Sequence, residues 1–313
     1  MFIIIGGPTG TGKSTVAVEL ALLLNGEIIS ADSMQVYKEM NIGTNKNTIT
    51  QRKGIEHHLI DVVMPDEPWT VARYKKLAEK KMDEIKDRGK IPIIVGGTGL
   101  YVESIIRGLF DSREPTKELK KELRDILQKK GLSYLIEMLY ELDPEAVSEI
   151  DTKNSRRVLR AIEIIKSNNM KLSEIKKRTK ETIYKDKYYF FVLTMKRKQL
   201  YERINKRVDE MIKAGLEYEV RELLNKGYNK DLNSMQAIGY KEMVEYIEGR
   251  ISKKDAIERI KKNTRNYAKR QETWFKRYKE AMWIDTTGMK PEVIAEKINL
   301  FLNKVLKKDE KNI

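Results

Sequence analysis

The stretch Phe2-Ile3-Ile4-Ile5-Gly6-Gly7-Pro8-Thr9-Gly10-Thr11-Gly12-Lys13-Ser14 decides the fold. Its apolar run, Phe2–Ile5, has the length and composition of a strand buried on both faces. Beyond Ser14, the residues Val16, Ala17, Leu20, Ala21 and Leu24 recur at helical spacing. Between strand and helix, Gly7 to Ser14 fit G-x-x-x-x-G-K-[ST], the pattern of a phosphate-binding loop in the context it requires. The chemistry explains the residue types. Glycines let the backbone curl so that successive N–H groups point at phosphate oxygens. The helix N-terminus adds a partial positive charge, Lys13 a full one, and the Ser14 hydroxyl can ligate Mg²⁺. The loop predicts a polyphosphate site. It does not say which compound is held, or whether anything is hydrolysed.

Composition bounds the rest. The 313 residues can bury a real core and suffice for two domains. There are 62 Lys and Arg against 47 Asp and Glu, a net charge of +15, which points to a polyanionic partner. The absence of cysteine excludes disulfides, thiolate metal sites and cysteine nucleophiles. The first apolar run is short and leads straight into the loop, so no signal peptide is expected. No apolar stretch approaches the roughly 20 residues of a membrane span. A soluble, cytoplasmic protein with no membrane partner is expected.

Read in order, Gly26 is expected to cap the first helix, with Glu27–Ile29 as a second strand. That strand runs into Ser30-Ala31-Asp32-Ser33-Met34-Gln35. A carboxylate just past the C-terminal end of such a strand lies on the ligand-binding edge of an α/β sheet. Asp32 is therefore a general base, a metal ligand or a helix N-cap. His57 and His58, the only two histidines, point to opposite faces of an extended segment and do not suit one metal; one ring is expected near the site. Thr70 to Arg88 reads as an amphipathic helix ended by Gly89. Ile91–Val95 reads as a parallel strand followed by Gly96-Gly97-Thr98, where many P-loop ATPases carry a magnesium-binding Asp. This second glycine turn reads as a further phosphate contact or as a plain strand-to-helix turn, which would use glycines too.

From Ser112 through Lys187 the chain is charged and helical, with Gly131, Pro144 and Asn168-Asn169 as breakers. Arg156, Arg157 and Arg160 cluster on one helix there. Tyr188–Leu193 reads as a returning strand, followed at the ligand edge by Arg197 and Arg203. A helix over 261–279 interleaves basic and aromatic residues, of which Ile260, Tyr267, Trp274 and Tyr278 share one face and read as core. Met282–Asp285 reads as a last strand and Pro291–Leu306 as a last helix, with Lys307–Ile313 frayed. The expected architecture is α/β: a P-loop NTPase-like core with a mainly parallel sheet flanked by helices, over 1–111 and 188–313, plus an all-helical insertion domain over 112–187.

Seven signatures then coincide in order: GPTGTGKS (7–14), SADSMQVY (30–37), HHLID (57–61), GGTGLY (96–101), Arg197 with LYERI (200–204), QAIGYKE (236–242) and TRNYAKRQETWF (264–275). Together they resemble the tRNA dimethylallyltransferases, also called tRNA isopentenyl pyrophosphate transferases, over nearly the whole chain. Eukaryotic members carry a C-terminal zinc finger; with no cysteine, this chain resembles the bacterial type.

The resemblance implies transfer of a dimethylallyl group from dimethylallyl pyrophosphate to the exocyclic amine of adenosine 37 of tRNA, with pyrophosphate released. It implies that Gly7, Pro8, Thr9, Gly10, Thr11, Gly12, Lys13 and Ser14 hold pyrophosphate rather than ATP, with Mg²⁺ at Ser14. It makes Asp32 the proton acceptor, and puts Thr98, Arg197 and Arg203 on the pyrophosphate side as catalytic groups. Asp32, Ser33, Met34, Gln35 and Thr98, with Ser155, Arg156, Arg157, Val158 and Leu159, match the family's tRNA contacts. The helical insertion is expected to grip the anticodon stem-loop, and the enzyme to act as a monomer. Two rivals make different demands. A P-loop kinase would take a small acceptor and form ADP, and a nucleotide-gated RNA-binding protein would need a magnesium Asp where Gly96-Gly97-Thr98 stands.

Overall fold

The computed structural model describes residues 1–109, 113–178 and 183–310. Strand β1 (Phe2–Gly6) leads through the glycine loop into α1 (Lys13–Leu24), and β2 (Gly26–Ser30) into a long excursion carrying α2 (Ile49–Arg52) and the short β3 (His57–His58). Helix α3 (Val71–Asp87), β4 (Ile91–Val95) and α4 (Gly99–Ile106) follow. Then come α5 (Lys117–Leu142), α6 (Pro144–Glu149), α7 (Ser155–Asn168) and α8 (Leu172–Arg178), with no strand among the described residues. The chain returns through β5 (Tyr188–Thr194) to α9 (Arg197–Lys213), α10 (Leu216–Asn225), α11 (Tyr240–Ile247) and α12 (Lys253–Phe275). Strand β6 (Met282–Asp285) and α13 (Pro291–Glu310) complete it.

The six strands form one sheet in the order β3-β2-β4-β1-β5-β6, and every pairing is parallel. β1 lies at its centre, with Ile3 opposite Ile93 on one side and Tyr189 on the other. All five of its residues are buried, which is why the run is apolar without alternation. Successive residues still serve opposite faces. Ile3 and Ile5 join Leu20, Ile298 and Leu302 in the core under α1 and α13. On the other face Phe190 meets the edge of Phe275, from the end of α12, at 6.1 Å between ring centroids.

Because all strands run the same way, the ends of β1, β2, β4 and β5 deliver four loops to one edge. These are the glycine loop, the Asp32 turn, Gly96–Thr98 and the entry to α9.

Several local expectations change. Helix α1 is ended by Asn25 (φ 51), whose amide bonds the Ala21 carbonyl. Gly26 instead opens β2, where a Cβ would stand 2.9 Å from the Ile91 carbonyl oxygen. Asp32 caps no helix; the residues after it form turns. Helix α12 begins two turns earlier than the aromatic pattern suggests, because the Ser252 side chain caps it through the Asp255 amide. Tyr278 lies beyond its end. Helix α13 continues to Glu310, past the Leu306 end and into the segment expected to fray; residues 311–313 lie outside the described part.

The chain separates into two compact units, Met1–Val102 with Lys185–Ile313, and Glu103–Tyr184. The change of composition at Ser112, read as a domain boundary, lies outside the described residues; the contacts divide the chain within α4. The second unit has its own core, in which Leu123, Leu135, Leu139, Val158 and Ile162 are fully buried. Gly131 (φ 81) kinks α5, Pro144 opens α6, and Asn169 (φ 48) ends α7. This unit contains 18 basic and 15 acidic residues, so most of the +15 charge belongs to the sheet-bearing unit.

Candidate active site

The glycine loop is built on three left-handed turns, Gly7 (φ 132), Gly10 (φ 90) and Gly12 (φ 91). At Gly7 a Cβ would also collide with the Leu193 carbonyl, so the residue is fixed twice over. Thr11 is buried, and its hydroxyl donates to the Pro8 carbonyl at 2.9 Å, closing the loop on itself. Thr286 donates to the Thr11 carbonyl at 3.3 Å and ties the loop to the end of β6. Lys13 folds over the loop, its Nζ donating to the Pro8 carbonyl at 2.8 Å.

Two arginines of α9 complete the cationic wall. Arg207 donates to Thr9 Oγ1 at 3.2 Å, and Nη1 of Arg203 lies 3.9 Å from where a Gly12 Cβ would be. Burial first, and then the Arg207 charge, pull the Lys13 ammonium down to about 7, against the attraction of Asp32. Burial and Arg203 also disfavour the charge on Arg207, which a guanidinium nevertheless keeps. Three cations crowded at one loop leave it short of negative charge.

Across the edge, Asp32 Oδ1 accepts the amides of Met34 at 2.8 Å and Gln35 at 3.3 Å. Those bonds hold the turn and leave Oδ2 out of it. Thr98 is wired to the same turn: its Oγ1 accepts the Ser33 amide at 3.0 Å, and its amide donates to the Ala31 carbonyl at 3.1 Å. Gly96 is glycine because a Cβ there would collide with that Ala31 carbonyl; close approach, not backbone sign, is the constraint. Burial pushes the Asp32 carboxyl above its usual range, opposed by the two amides and by the Lys13 and Lys46 charges. The hydroxyl of Tyr267 lies beside Thr98 and Gln271, and burial first, then the Asp32 charge, pushes it up to about 12 against those two neighbours. Tyr267 is thus a site residue, not the core residue its helical face suggested.

The structure brings the loop, Asp32, Ser33, Thr98 and Arg203 to one edge as expected, and adds two residues the sequence reading missed. Arg207 stands one helical turn after Arg203, so an i, i+4 search beyond Arg203 finds it. Gln271 carries no such signal. It is 5% exposed; its Oε1 accepts the Thr9 amide and its Nε2 donates to the Gly97 carbonyl. Arg197 is exposed at the first position of α9, and six residues turn it about 120° away from Arg203.

In the second unit Arg156, Arg157 and Arg160 are exposed, and Asn154 caps α7 through the Arg156 amide. Val158 is fully buried and Leu159 packs against the same core. Val158 therefore supports that surface from beneath and offers no side chain to a partner.

The histidines go to different partners, His57 Nδ1 to the Ile55 carbonyl at 2.8 Å and His58 Nε2 to Glu27 at 2.7 Å. His57 lines a cavity of about 20 Å³ with Ser14, Ser30, Gln35 and Asn47. Among the described residues no three His, Asp or Glu side chains group as a metal site. The neutral oxygens around Ser14 fit a hard cation that keeps most of its waters.

The chain matches the family model described as IPP transferase over residues 35–278. The tRNA dimethylallyltransferase of Thermotoga maritima is 45% identical to it over 295 residues, 94% of this chain and 95% of that protein. That of Caldanaerobacter subterraneus subsp. tengcongensis is 48% identical over 285 residues, 90% of each chain. Among solved structures, the full-length tRNA isopentenylpyrophosphate transferase of Bacillus halodurans aligns with a TM-score of 0.74 at 40% identity, covering 99% of this chain and 98% of that one. A eukaryotic dimethylallyltransferase acting on tRNA aligns at 0.78 and 33% identity, over 92% of this chain and 74% of its own. Sequence likeness over nearly the full length, shared fold and a glycine loop facing a carboxylate agree, and the chain belongs to the IPP transferase family.

Proposed function

We propose that this chain transfers the dimethylallyl group of dimethylallyl pyrophosphate to the exocyclic N6 amine of adenosine 37 in tRNA, beside the anticodon, and releases pyrophosphate. The observation that carries this reading is one edge where Lys13 of the glycine loop and Arg203 and Arg207 of α9 face a half-buried carboxylate, Asp32. The relatives' names supply the substrates; the side chains account for the chemistry.

The bond between the allylic carbon and the pyrophosphate oxygen breaks as the N6–carbon bond forms. Its electron pair leaves with pyrophosphate, where negative charge builds up. Loop amides, Lys13 and the two arginines stabilise that charge. The amine loses its proton to Oδ2 of Asp32, a carboxylate whose raised proton affinity suits a base. Mg²⁺ fits beside the Ser14 hydroxyl and would supply further charge neutralisation for the leaving group.

The acceptor base must be turned out of the anticodon loop to meet the allylic carbon, and loop bases unstack more cheaply than duplex bases. The helical unit, an insertion in the P-loop core, grips the anticodon stem-loop through exposed arginines such as Arg156 and Arg157. The more basic core carries the larger share of phosphate contacts. The enzyme acts as a monomer in the cytoplasm.

The test uses labelled dimethylallyl pyrophosphate and labelled ATP, each with and without unmodified tRNA. Label passing from the allyl donor to tRNA, with no ADP formed, supports the reading. ADP formation dependent on tRNA overturns it.

A further inference from the structure

Glu219 lies far in sequence from the Asp32 turn, on α10, yet it is 9% exposed and accepts three backbone amides from the segment that follows that turn. Its Oε2 accepts the amides of Asn41 at 2.9 Å and Ile42 at 2.8 Å. Its Oε1 accepts the Gly43 amide at 3.2 Å and the Tyr240 hydroxyl at 2.6 Å. Three consecutive amides and a phenol converge on one carboxylate. Tyr240 is fully buried, and its ring fills the space a Cβ on Gly43 would need, so glycine at 43 is a steric requirement. Burial and the Glu219 charge keep the Tyr240 hydroxyl protonated, and therefore a donor.

What the clamped segment does next links it to the site. The carbonyls of Thr44 and Asn45 accept from Gln35 Nε2 at 3.2 and 3.3 Å, while Gln35 Oε1 accepts the Ser30 hydroxyl at 3.2 Å. Gln35 is thereby pinned at both ends, and its amide is one of the two that orient Asp32. The side chain of Asn41 accepts from Lys46 Nζ at 3.1 Å, and Lys46 also donates to the Tyr37 carbonyl and Asp61, both at 2.6 Å. The Lys46 charge acts on Asp32. Of these bonds the one from Tyr240 to Glu219 is buried, and it anchors the segment from beneath.

We propose that Glu219, held by Tyr240, is a positioning residue for the general base: it fixes Asn41–Asn45, and through Gln35 and Lys46 the orientation of Asp32. This deepens the proposed function and rests on Asp32 acting as base there. Removing the clamp lets the carboxylate wander from the acceptor amine, and a misplacement of about 1 Å can cost on the order of 100-fold in rate.

The experiment compares wild-type chain with Glu219→Gln and Tyr240→Phe, at a temperature where each is folded. It measures amide exchange at Met34 and Gln35, pyrophosphate affinity, and single-turnover transfer to tRNA. The expected result is exchange at Met34 and Gln35 accelerated about tenfold or more. Pyrophosphate affinity should stay within twofold of wild type, while transfer falls roughly 10- to 100-fold. Unchanged exchange at both amides, transfer within twofold of wild type, or an equal loss of pyrophosphate affinity overturns the proposal. Should Glu219→Gln fail to fold, Tyr240→Phe decides, since it keeps the ring against Gly43. A wild-type chain with no transfer counts against the proposed function instead, and amide exchange alone then decides the clamp.

Discussion

Gln271 Oε1 accepts the amide of Thr9 at 2.8 Å, across 262 residues of sequence, while its Nε2 holds the Gly97 carbonyl at 2.9 Å. One buried side-chain amide therefore joins the phosphate loop to the turn that carries Thr98. Gln271→Met keeps the volume and removes both bonds, leaving the buried Gly97 carbonyl and the part-buried Thr9 amide unpaired at about 1–3 kcal/mol each. A thermal melt should fall by about 3–9 °C for a chain of this size. A melt within a degree of wild type would show that the bridge contributes nothing.

Arg207, absent from the sequence motif, should matter to pyrophosphate more than Arg197 does. Arg207→Ala removes a charge-assisted contact of about 1.5–3 kcal/mol, roughly 10- to 150-fold in affinity. Lys13→Ala and Arg203→Ala belong in the same range. Arg197 is exposed and a third of a turn away, so Arg197→Ala should lose clearly less. Calorimetric titration with pyrophosphate measures all four, and equal losses for Arg197 and Arg207 would contradict this placement.

Lys13 titrates near 7 in the ligand-free protein because burial and Arg207 disfavour its charge. Bound pyrophosphate favours the ammonium, so binding should take up a proton above about pH 7, and affinity should fall as pH rises through that range. The sign for folding is opposite to that of a paired lysine. The depressed group destabilises the ligand-free fold below about pH 7, and that penalty fades as pH rises towards the unfolded value of 10.5. Titrations in buffers of different ionisation enthalpy count the proton. Lys13→Arg, which stays charged, should abolish the uptake; an unchanged proton count in that variant would exclude Lys13 as its source.

The arginines of α7 are predicted to touch RNA phosphate. Replacing Arg156, Arg157 and Arg160 together by Ala should weaken tRNA binding and lower the slope of log affinity against log salt by about 2 to 3. Pyrophosphate affinity should not change. A slope equal to that of wild type would place the RNA elsewhere.

What could be read from sequence follows from where each constraint lies along the chain. Gly7–Ser14 is legible because strand, glycine turns and helix start are contiguous, and each imposes a residue type. Asp32 and Thr98 are legible because each follows an apolar strand and so lies on the same edge. Gln271 and Glu219 are not, because their roles rest on partners about 170 to 260 residues away, on elements only the fold brings together, while Arg207 shows in the sequence only as the residue one turn beyond Arg203. Tyr267 reads as core in the sequence because helical periodicity reports which face is inward, and an active site lies inward too. Gly26 reads as a cap for a similar reason: glycine marks both left-handed caps and close approach, and only the Ile91 carbonyl distinguishes them here.

The central claim is that Asp32 takes the amine proton while the glycine loop takes the leaving group. Asp32→Asn tests it most directly, because Asn can still accept the Met34 and Gln35 amides and so keeps the turn. The measurement is single-turnover transfer from labelled dimethylallyl pyrophosphate to unmodified tRNA, beside the melting temperature and both substrate affinities. The account predicts a rate lower by roughly 10²–10⁴, with melting and affinities little changed. Near-normal transfer by a folded Asp32→Asn variant would contradict it.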